Sequence, residues 1–490
     1  MSREMPLDAL LAGCGTANVP ALPVSGLCLD SRELRRGDVF FALAGSQGHG
    51  LAHAERALHD GAAAIVYEPP LPAALRAPDG AIAVAGLRAH LGAIASRFYD
   101  APSQALRVIG VTGTNGKTST VQLLAQALTR AGRCVGSIGT LGSGLHGHLA
   151  AGERTTPDVL QVHRLLAQMR EQGATDVAME VSSHALDQGR VDAVVFQVAV
   201  FSNLTRDHLD YHGTMQAYGT AKAKLFRWPG LGAAVLNLDD PFAAELRRTV
   251  ADGVPVIGVS ARGAAEATLA AEQVEASDDG LRFVLRVGAT RLPLRTALVG
   301  RFNVDNLLAV AGTLHALHWP ASDIADALAA LRPVPGRMSR VGGGAQPLVV
   351  VDYAHTPDAL MQALRSVREH ARGRVLCVFG CGGERDAGKR PQMAAIAEAA
   401  ADVVIVTDDN PRNESGDAIV ADILAGFAAR ERVRVERDRA AAIALAIAEA
   451  RAGDVVLIAG KGHETYQDVA GRRLPFDDLA VAQAALGVSP

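Results

Sequence analysis

The chain has 490 residues, 48 Lys and Arg against 52 Asp and Glu for a formal net charge of −4, and 49% hydrophobic residues. At roughly 150 residues per domain that length implies about three domains, and the balance is that of a core-forming globular chain, which excludes a single small binding module and disorder as the main state. A near-neutral chain lacks the general positive field on which sequence-independent nucleic-acid binding relies, so nucleic acid is not an expected partner.

From the N-terminus, Leu11-Ala12-Gly13-Cys14 imitates a lipoprotein cleavage box, but the apolar run before it spans only Ala9 to Ala12. A signal peptide needs roughly 7–15 such residues. From Asp38 the pattern predicts a strand over 39–44, a helix-like stretch near 52–61, a strand over 63–67 and a helix near 87–99, together a small α/β unit. The proline-broken Tyr99-Asp100-Ala101-Pro102-Ser103 ends it. A second unit opens with a strand over 107–111, a glycine-rich turn and a helix over 118–131 closed by Gly132, and strands recur over 176–181 and 193–203. This alternation implies a mostly parallel sheet. Between about Gly253 and Leu298 the pattern changes to short polar–apolar alternation, as in Arg282-Phe283-Val284-Leu285-Arg286-Val287, an antiparallel excursion.

Leu331-Arg332-Pro333-Val334-Pro335-Gly336 makes a second break. Strands over 348–352, 375–380, 402–407 and 454–459, with helical runs such as 439–452, then predict a separate doubly wound, Rossmann-like sheet. The expected fold is α/β in three domains, 1–103, 104–334 and 335–490, the central one a P-loop ATPase-like parallel sheet. The five cysteines are odd in number and scattered, without zinc spacing or a disulfide framework. No run of about 18 apolar residues predicts a spanning helix, and a cytoplasmic protein without stable membrane association is expected.

Gly113-Thr114-Asn115-Gly116-Lys117-Thr118-Ser119 follows a strand and opens a helix, so its backbone N–H groups suit phosphates. Lys117 would neutralise phosphate oxygens, and the Thr118 hydroxyl would bind Mg²⁺. The strict G-x-x-x-x-G-K-[ST] pattern fails, because the position five before Gly116 is Val111. The plain alternative is a tight strand-to-helix turn with an exposed lysine. With its three-unit layout, this loop resembles that of the Mur ligases, the ATP-dependent amide-forming enzymes of peptidoglycan precursor synthesis. Matching features run from about residue 29 to 464. The resemblance implies an N-terminal uridine-binding domain, a central ATPase domain and a C-terminal amino-acid-binding domain.

Met179-Glu180-Val181-Ser182-Ser183-His184 ends an apolar strand, where ligands bind in open α/β sheets. Alone, Glu180 could equally be a structural acid; the resemblance implies that it binds the metal of MgATP. Asn203-Leu204-Thr205-Arg206-Asp207-His208 follows another apolar strand. The resemblance places Asn203 near the phosphates and gives His208 a catalytic role at a second Mg²⁺, whereas His212 is read as a surface or packing residue. In Ala221-Lys222-Ala223-Lys224-Leu225-Phe226, two lysines two apart do not share a helix face. The bland reading is a solvated basic helix. The resemblance implies that Lys222, rather than Lys224, carries a CO₂-derived carbamate that binds Mg²⁺, and makes Lys117 and Lys222 catalytic. A neutral, buried amine is the precursor such a modification needs. Asn303 and Asn306 resemble the segment approaching adenine, although Asn306 could also be a helix N-cap. Arg337 resembles a hinge arginine reaching phosphate, and Asp352 a ribose-side strand end.

Leu29, Ser31 and Ser46-Gln47-Gly48 resemble a uridine-binding segment, and Thr155, Thr156, Ser182, Gln188 and Arg190 match further substrate-contacting positions. Arg190 suits a substrate carboxylate or phosphate. Asp409-Asn410-Pro411-Arg412 resembles the D-N-P-R motif of family members that add meso-diaminopimelate, with Arg385, Gly460 and Glu464 at the remaining amino-acid positions. Diaminopimelate carries an extra carboxylate, which an arginine fork binds bidentately, and Glu464 would meet an ammonium. The resemblance therefore implies a ligase joining meso-diaminopimelate to UDP-N-acetylmuramoyl-L-alanyl-D-glutamate, with ATP and two Mg²⁺, as a monomer. A folylpolyglutamate synthetase would leave the uridine segment and Arg412 unexplained. A nucleotide-dependent switch predicts binding without amino-acid-dependent turnover.

Overall fold

Residues 4–45, 48–152, 154–277 and 280–488 are described in the computed structural model of the protein. Their longer strands collect into three sheets. The first is parallel and runs in chain order through β1 (Gly26–Cys28), β2 (Asp38–Ala42), β3 (Ala64–Tyr67) and β4 (Ile82–Ala83). β2 is Asp-Val-Phe-Phe-Ala and buried throughout, because a parallel sheet covered on both faces leaves no solvent side for polar alternation. The stretch predicted as one helix near 52–61 is a 3₁₀ turn, Gly50–His53, leading into a short helix, Ala54–His59. Helix α1 (Leu87–Phe98) buries Leu87, Leu91, Ile94 and Phe98 on one stripe.

The second sheet has eleven strands: β5 (Arg107–Thr112), β6 (Val135–Gly139), β7 (Gly142–Leu145), β8 (His148–Ala150), β9 (Asp176–Glu180), β10 (Phe196–Phe201), β11 (Ala233–Asn237), β12 (Val256–Ser260), β13 (Leu269–Ser277), β14 (Gly280–Val287) and β15 (Thr290–Thr296). Their spatial order is β8-β7-β6-β9-β5-β10-β11-β12-β13-β14-β15. The stretch from β6 to β13 is parallel, and antiparallel hairpins extend both edges. Of the antiparallel excursion predicted over about 253–298, β13 to β15 form antiparallel pairs, whereas β12 within it pairs in parallel with β11 and β13; the hairpin at the other edge went unpredicted. Helices α2 (Lys117–Arg130), α3 (Val159–Glu171), α4 (Met215–Ala223) and α5 (Phe302–Ala316) flank this sheet, and Val159 and Leu160 of α3 also join the first unit's core.

The third sheet comprises β16 (Ser339–Gly342), β17 (Leu348–Asp352), β18 (Val375–Phe379), β19 (Val403–Val406), β20 (Val433–Val435) and β21 (Val455–Ala459), in the order β16-β17-β21-β18-β19-β20, parallel except for β16. Helices α6 (Pro357–His370), α7 (Lys389–Ala400), α8 (Gly416–Leu424), α9 (Arg439–Glu449) and α10 (Asp478–Leu486) cover it. The segments 380–385, 408–412 and 460–464 all leave the carboxyl ends of its strands, where open α/β sheets bind ligands. No helix among the described residues is long and apolar enough to cross a membrane.

Arg439 on α9 is buried and donates to both carboxylate oxygens of buried Asp478 on α10, at 2.7 and 2.8 Å, and to the Ala459 carbonyl at 3.1 Å. Removing one member of such a pair strands the other charge in the core. Arg439→Leu is expected to destabilise this unit by about 3–5 kcal/mol in urea unfolding, and Arg439→Leu with Asp478→Leu to recover most of that loss.

Candidate active site

The phosphate loop joins β5 to α2. Gly113 and Gly116 have φ of +149° and +85°. A Cβ at Gly113 would lie 1.9 Å from Ser202 Oγ, and one at Gly116 2.5 Å from Asn306 Oδ1, so both glycines are required by space as well as conformation. The loop is held open from behind: Asn115 N–H donates to Asn203 Oδ1 (2.9 Å), Thr114 N–H to the Asn203 carbonyl (2.8 Å), and Ser202 Oγ to the Asn115 carbonyl (2.6 Å). Lys117 Nζ folds back onto the carbonyls of Gly113 and Thr114, each at 2.9 Å. Burial pushes this amine below the ordinary lysine range, against the pull of Glu180 and Asp207.

A cavity of about 910 Å³ opens over this loop, with Glu180, His208, Asp305, Arg337 and Asp352 among its walls. Glu180 is buried at the end of β9 and accepts from Thr140 N–H at 2.8 Å and Thr140 Oγ1 at 3.3 Å. Lys222, 1% exposed, donates to the Gly113 carbonyl at 2.7 Å and lies 4.3 Å from the Tyr218 ring centroid. Burial, with Lys117 nearby, pushes its amine far below the lysine range. Lys224 instead reaches solvent and pairs with Asp187 at 2.9 Å. The bland reading of this segment as a solvated basic helix therefore fails at Lys222.

His208 adopts φ +52°, lies 3.4 Å from Asp207 Oδ2 and packs edge-on to His184. Burial, with His208 and His212 nearby, pushes His184 down to about 4. His212 bonds Ser183 Oγ at 3.0 Å and stacks near Tyr218, a packing role. Among the described residues no three His, Cys, Asp or Glu side chains form a ready metal cluster. The Glu180 carboxylate and Thr118 hydroxyl, which line this cavity, are hard oxygens of the kind Mg²⁺ takes alongside phosphate.

Across the cavity, Arg337 donates to Thr118 Oγ1 at 3.2 Å and stacks over Tyr353 at 4.6 Å. Asp352 accepts from Met338 N–H at 2.9 Å, its carboxyl pushed up by burial against the pull of Arg337. Asn306 lies inside α5, not at its N-cap: its Nδ2 donates to Asn303 Oδ1 at 2.8 Å, and its Oδ1 accepts from Thr120 at 3.4 Å. Sequence reasoning missed Asp358 on α6, which accepts from Asn115 Nδ2 at 3.1 Å and Thr205 Oγ1 at 3.4 Å and so ties the third unit to the phosphate loop. Its only sequence signal is that of an acid in a helix's first turn.

A second cavity, about 1180 Å³, lies between the first and second units, lined by Leu29, Ser31, Gln188 and Arg190 among others. Ser46 and Gln47 lie outside the described residues, and Gly48 turns back so that its carbonyl accepts from Gly45 N–H at 2.7 Å. Arg190 is braced by Gln188 Oε1, at 3.0 and 2.6 Å, and by the Thr156 carbonyl at 2.9 Å. Thr156 is itself a brace, its hydroxyl donating to the Glu180 carbonyl at 2.8 Å and accepting from Ser182 N–H at 3.2 Å. Ser182 Oγ caps the short helix Ser183–Asp187, whereas Thr155 faces the phosphate cavity beside Thr140.

In the third unit Arg412 (φ +54°) donates to the Gly383 carbonyl at 2.6 Å, and a Cβ at Gly382 would lie 2.9 Å from its guanidinium. Asn410 Nδ2 donates to Glu464 Oε2 at 2.7 Å, while its Oδ1 accepts from Lys461 Nζ at 2.9 Å. Lys461, fully buried, also reaches Glu464 at 3.1 Å. Sequence reasoning gave this lysine no role, although Gly-Lys-Gly marked it. Asp409 is buried beneath Gly460, its carboxyl pushed up by burial against the pull of Arg439 and Lys461. Pro411 is buried and Arg385 exposed at the rim. Cys377 and Cys381 are buried free thiols.

Residues 111–314 match the Mur ligase middle domain, 336–462 the Mur ligase glutamate ligase domain, and 23–99 the Mur ligase family catalytic domain. The chain is 62% identical over 487 residues to UDP-N-acetylmuramoyl-L-alanyl-D-glutamate--2,6-diaminopimelate ligase of Xanthomonas campestris pv. campestris (strain 8004), covering 99% of this chain and 98% of that one. The Pseudomonas aeruginosa enzyme of the same name is 53% identical over 466 residues, 95% of each chain. A solved structure of a ligase so named superposes with a TM-score of 0.72 at 36% identity over 99% of both chains. A MurF structure from Acinetobacter baumannii shares the fold at a TM-score of 0.66 and 20% identity, covering 93% of this chain and 96% of its own.

Proposed function

The chain belongs to the Mur ligase family, and from that premise we infer how its residues divide the work of an ATP-dependent ligase that adds 2,6-diaminopimelate to UDP-N-acetylmuramoyl-L-alanyl-D-glutamate in peptidoglycan precursor synthesis. In the proposed division, residues 1–103 hold the uridine end, 104–334 the ATP, and 335–490 the amino acid.

A carboxylate is a poor electrophile. In the proposed mechanism the D-Glu γ-carboxylate attacks the ATP γ-phosphorus, the bond to ADP breaks, and an acyl phosphate forms. Lys117 leaves the Gly113 and Thr114 carbonyls for the phosphate oxygens, offsetting their charge together with the N-terminus of α2. Two Mg²⁺ ions, when bound, offset further charge on the transferring phosphoryl group. Thr118 and Glu180 would hold one, and His208 with a carbamate on Lys222 the other. The uncharged amine of meso-diaminopimelate then attacks the acyl carbon, and phosphate leaves with the acyl–oxygen electron pair and takes up the proton the amine loses. Arg412 and the Asn410–Lys461–Glu464 cluster would orient the amino acid, with Arg385, Asp409 and Gly460 shaping its surroundings.

The observation that carries this reading is the buried Lys222 amine, which donates to the phosphate loop's own Gly113 carbonyl at 2.7 Å while burial and the nearby Lys117 disfavour its charged form. The test is phosphate release from ATP with the UDP-muramoyl-dipeptide and meso-diaminopimelate, L-lysine or no amino acid. Release only with diaminopimelate, with a labelled acyl phosphate trapped in its absence, supports the mechanism; AMP and pyrophosphate as products reject it. A monomer working in the cytoplasm completes the proposal.

Closure brings amine and acyl phosphate together, and Asp358 is the third unit's contact with Asn115. Asp358→Ala is expected to lower kcat/KM for ATP roughly tenfold through the loss of this charge-assisted contact, whereas Asp358→Asn, which keeps an acceptor, retains most activity. Steady-state kinetics in ATP check both variants.

A further inference from the structure

The wall of the ATP cavity beyond the phosphate loop is built from the end of β11, the turn after β12 and the first turn of α5. Asn237, Asp239, Asp240, Arg262, Phe302 and Asp305 line it. Nearly every polar group there is already engaged within the protein. Asp239 accepts from Ser260 Oγ (2.7 Å) and from the N–H groups of Ala261 (2.7 Å) and Arg262 (3.1 Å). Asp240 accepts from Leu204 and Phe242 N–H, at 2.7 and 2.9 Å. Asn237 donates to the Ser202 carbonyl at 2.8 Å and accepts from Asp239 N–H at 3.1 Å. The neighbouring Asn303 and Asn306 are bonded to each other, and Asn303 Nδ2 also donates to the Val299 carbonyl at 2.7 Å.

Asp305 differs. Its Oδ1 accepts one long bond, from Asn237 Nδ2 at 3.3 Å; apart from its own backbone N–H and the pull of Arg262, its carboxylate has no further donor side chain among the described residues. Burial, with Asp239 nearby, raises its carboxyl to about 6 against the pull of Asn237 and Arg262, so it is mostly ionised at neutral pH. An under-bonded carboxylate facing a ligand cavity favours a ligand donor and disfavours a ligand acceptor. A nucleotide whose phosphates rest on Gly113–Ser119 can extend its base past Asn306, which abuts Gly116, to this wall.

We propose that Asp305 is a specificity-determining residue for the nucleotide, its under-bonded carboxylate accepting from the exocyclic 6-amino group of adenine and repelling the 6-oxo group of guanine. This rests on the ATP-dependent reading of the cavity. In Asp305→Asn the amide oxygen stays with Asn237 and the amide nitrogen turns to the base. A donor then meets adenine's donor, and a donor meets guanine's acceptor.

The experiment compares ATP, GTP and purine riboside triphosphate, which lacks the 6-amino group, in wild type, Asp305→Asn and Asp305→Ser. It reads kcat/KM for phosphate release and, independently, displacement of a fluorescent ADP analogue by the corresponding diphosphates. Wild type is expected to prefer the 6-amino nucleotide over the purine analogue by roughly tenfold to a hundredfold, the range of one charge-assisted hydrogen bond. Both variants are expected to compress that ratio to within about threefold, and Asp305→Asn to raise the GTP/ATP ratio roughly tenfold. Wild type accepting the purine analogue as well as ATP, or unchanged ratios in the variants, would overturn the proposal. Should wild type release phosphate without needing an amino acid, the ligase mechanism fails, while the displacement ratios still decide the role of Asp305.

Discussion

Lys222→Ala is expected to lower diaminopimelate-dependent phosphate release by roughly 10³-fold or more, a loss on the scale of removing a group that stabilises transferring charge. The side chain is 1% exposed, its amine is hydrogen-bonded to the Gly113 carbonyl, and burial beside Lys117 disfavours the ammonium form. Disfavouring the ammonium favours the form of the amine that can add to CO₂, which loses a proton to become a carbamate. The proposed modification thereby exchanges a buried neutral amine for an anion available to Mg²⁺. Lys222→Arg is expected to fail equally, because arginine stays charged and cannot be carbamylated. Formate or acetate, small enough to replace the missing anion, is expected to restore part of the Lys222→Ala activity and none of the Lys222→Arg activity. Turnover within tenfold of wild type in Lys222→Ala, with unchanged thermal stability, would remove Lys222 from the chemistry. The Tyr218 ring, 4.3 Å from the amine, would then be left to explain its burial.

Arg412→Ala is expected to lower kcat/KM for meso-diaminopimelate by roughly 10³-fold, to leave KM for ATP within about threefold, and to collapse the preference for diaminopimelate over L-lysine. A site built to pair with a carboxylate leaves its own donors unpaired when the analogue lacks that group. The loop around Arg412 should survive truncation, because its backbone is held independently: Arg412 N–H donates to the Asp468 carbonyl at 2.9 Å, and the Arg412 carbonyl accepts from Ala470 N–H at 2.7 Å. Arg412→Lys keeps the charge but loses the planar fork, and is expected to recover less than a tenth of the lost activity. Steady-state kinetics with each amino acid distinguish this from a general loss: a fall shared equally by diaminopimelate and lysine would place Arg412 in the structure of the loop and not in the choice of substrate.

Much of this architecture is legible in short stretches of chain. The glycine-rich loop between a strand and a helix, the strand-ending Glu180 and the chain breaks near 103 and 335 are local signals, set by backbone sterics and by the spacing of apolar residues. That Lys222 and Lys224 do not share a face follows from helical spacing, but which of them is buried was implied only by the family resemblance. Other expectations depended on neighbours far away in sequence. Thr155 and Thr156 are indistinguishable as letters, yet one faces the phosphate cavity and the other braces the Glu180 and Ser182 backbone. Asn306 could be a helix cap or a helix-interior contact until α5 is laid against Gly116.

What the sequence by itself determined is therefore the α/β class, the phosphate loop and the run of motifs that mark a Mur ligase, because each is written in residues close enough to share one strand, turn or helix. Only the tertiary structure decided that Asp358 meets Asn115 across 243 residues, that Lys461 is buried between Asn410 and Glu464, and that Asp305 has a single, long side-chain hydrogen bond where its neighbours are held by several. The physical reason is that hydrogen-bond saturation, burial and the resulting charge state belong to a three-dimensional neighbourhood. Each depends on which donors the folded chain brings within about 3 Å, and that information is absent from any local pattern.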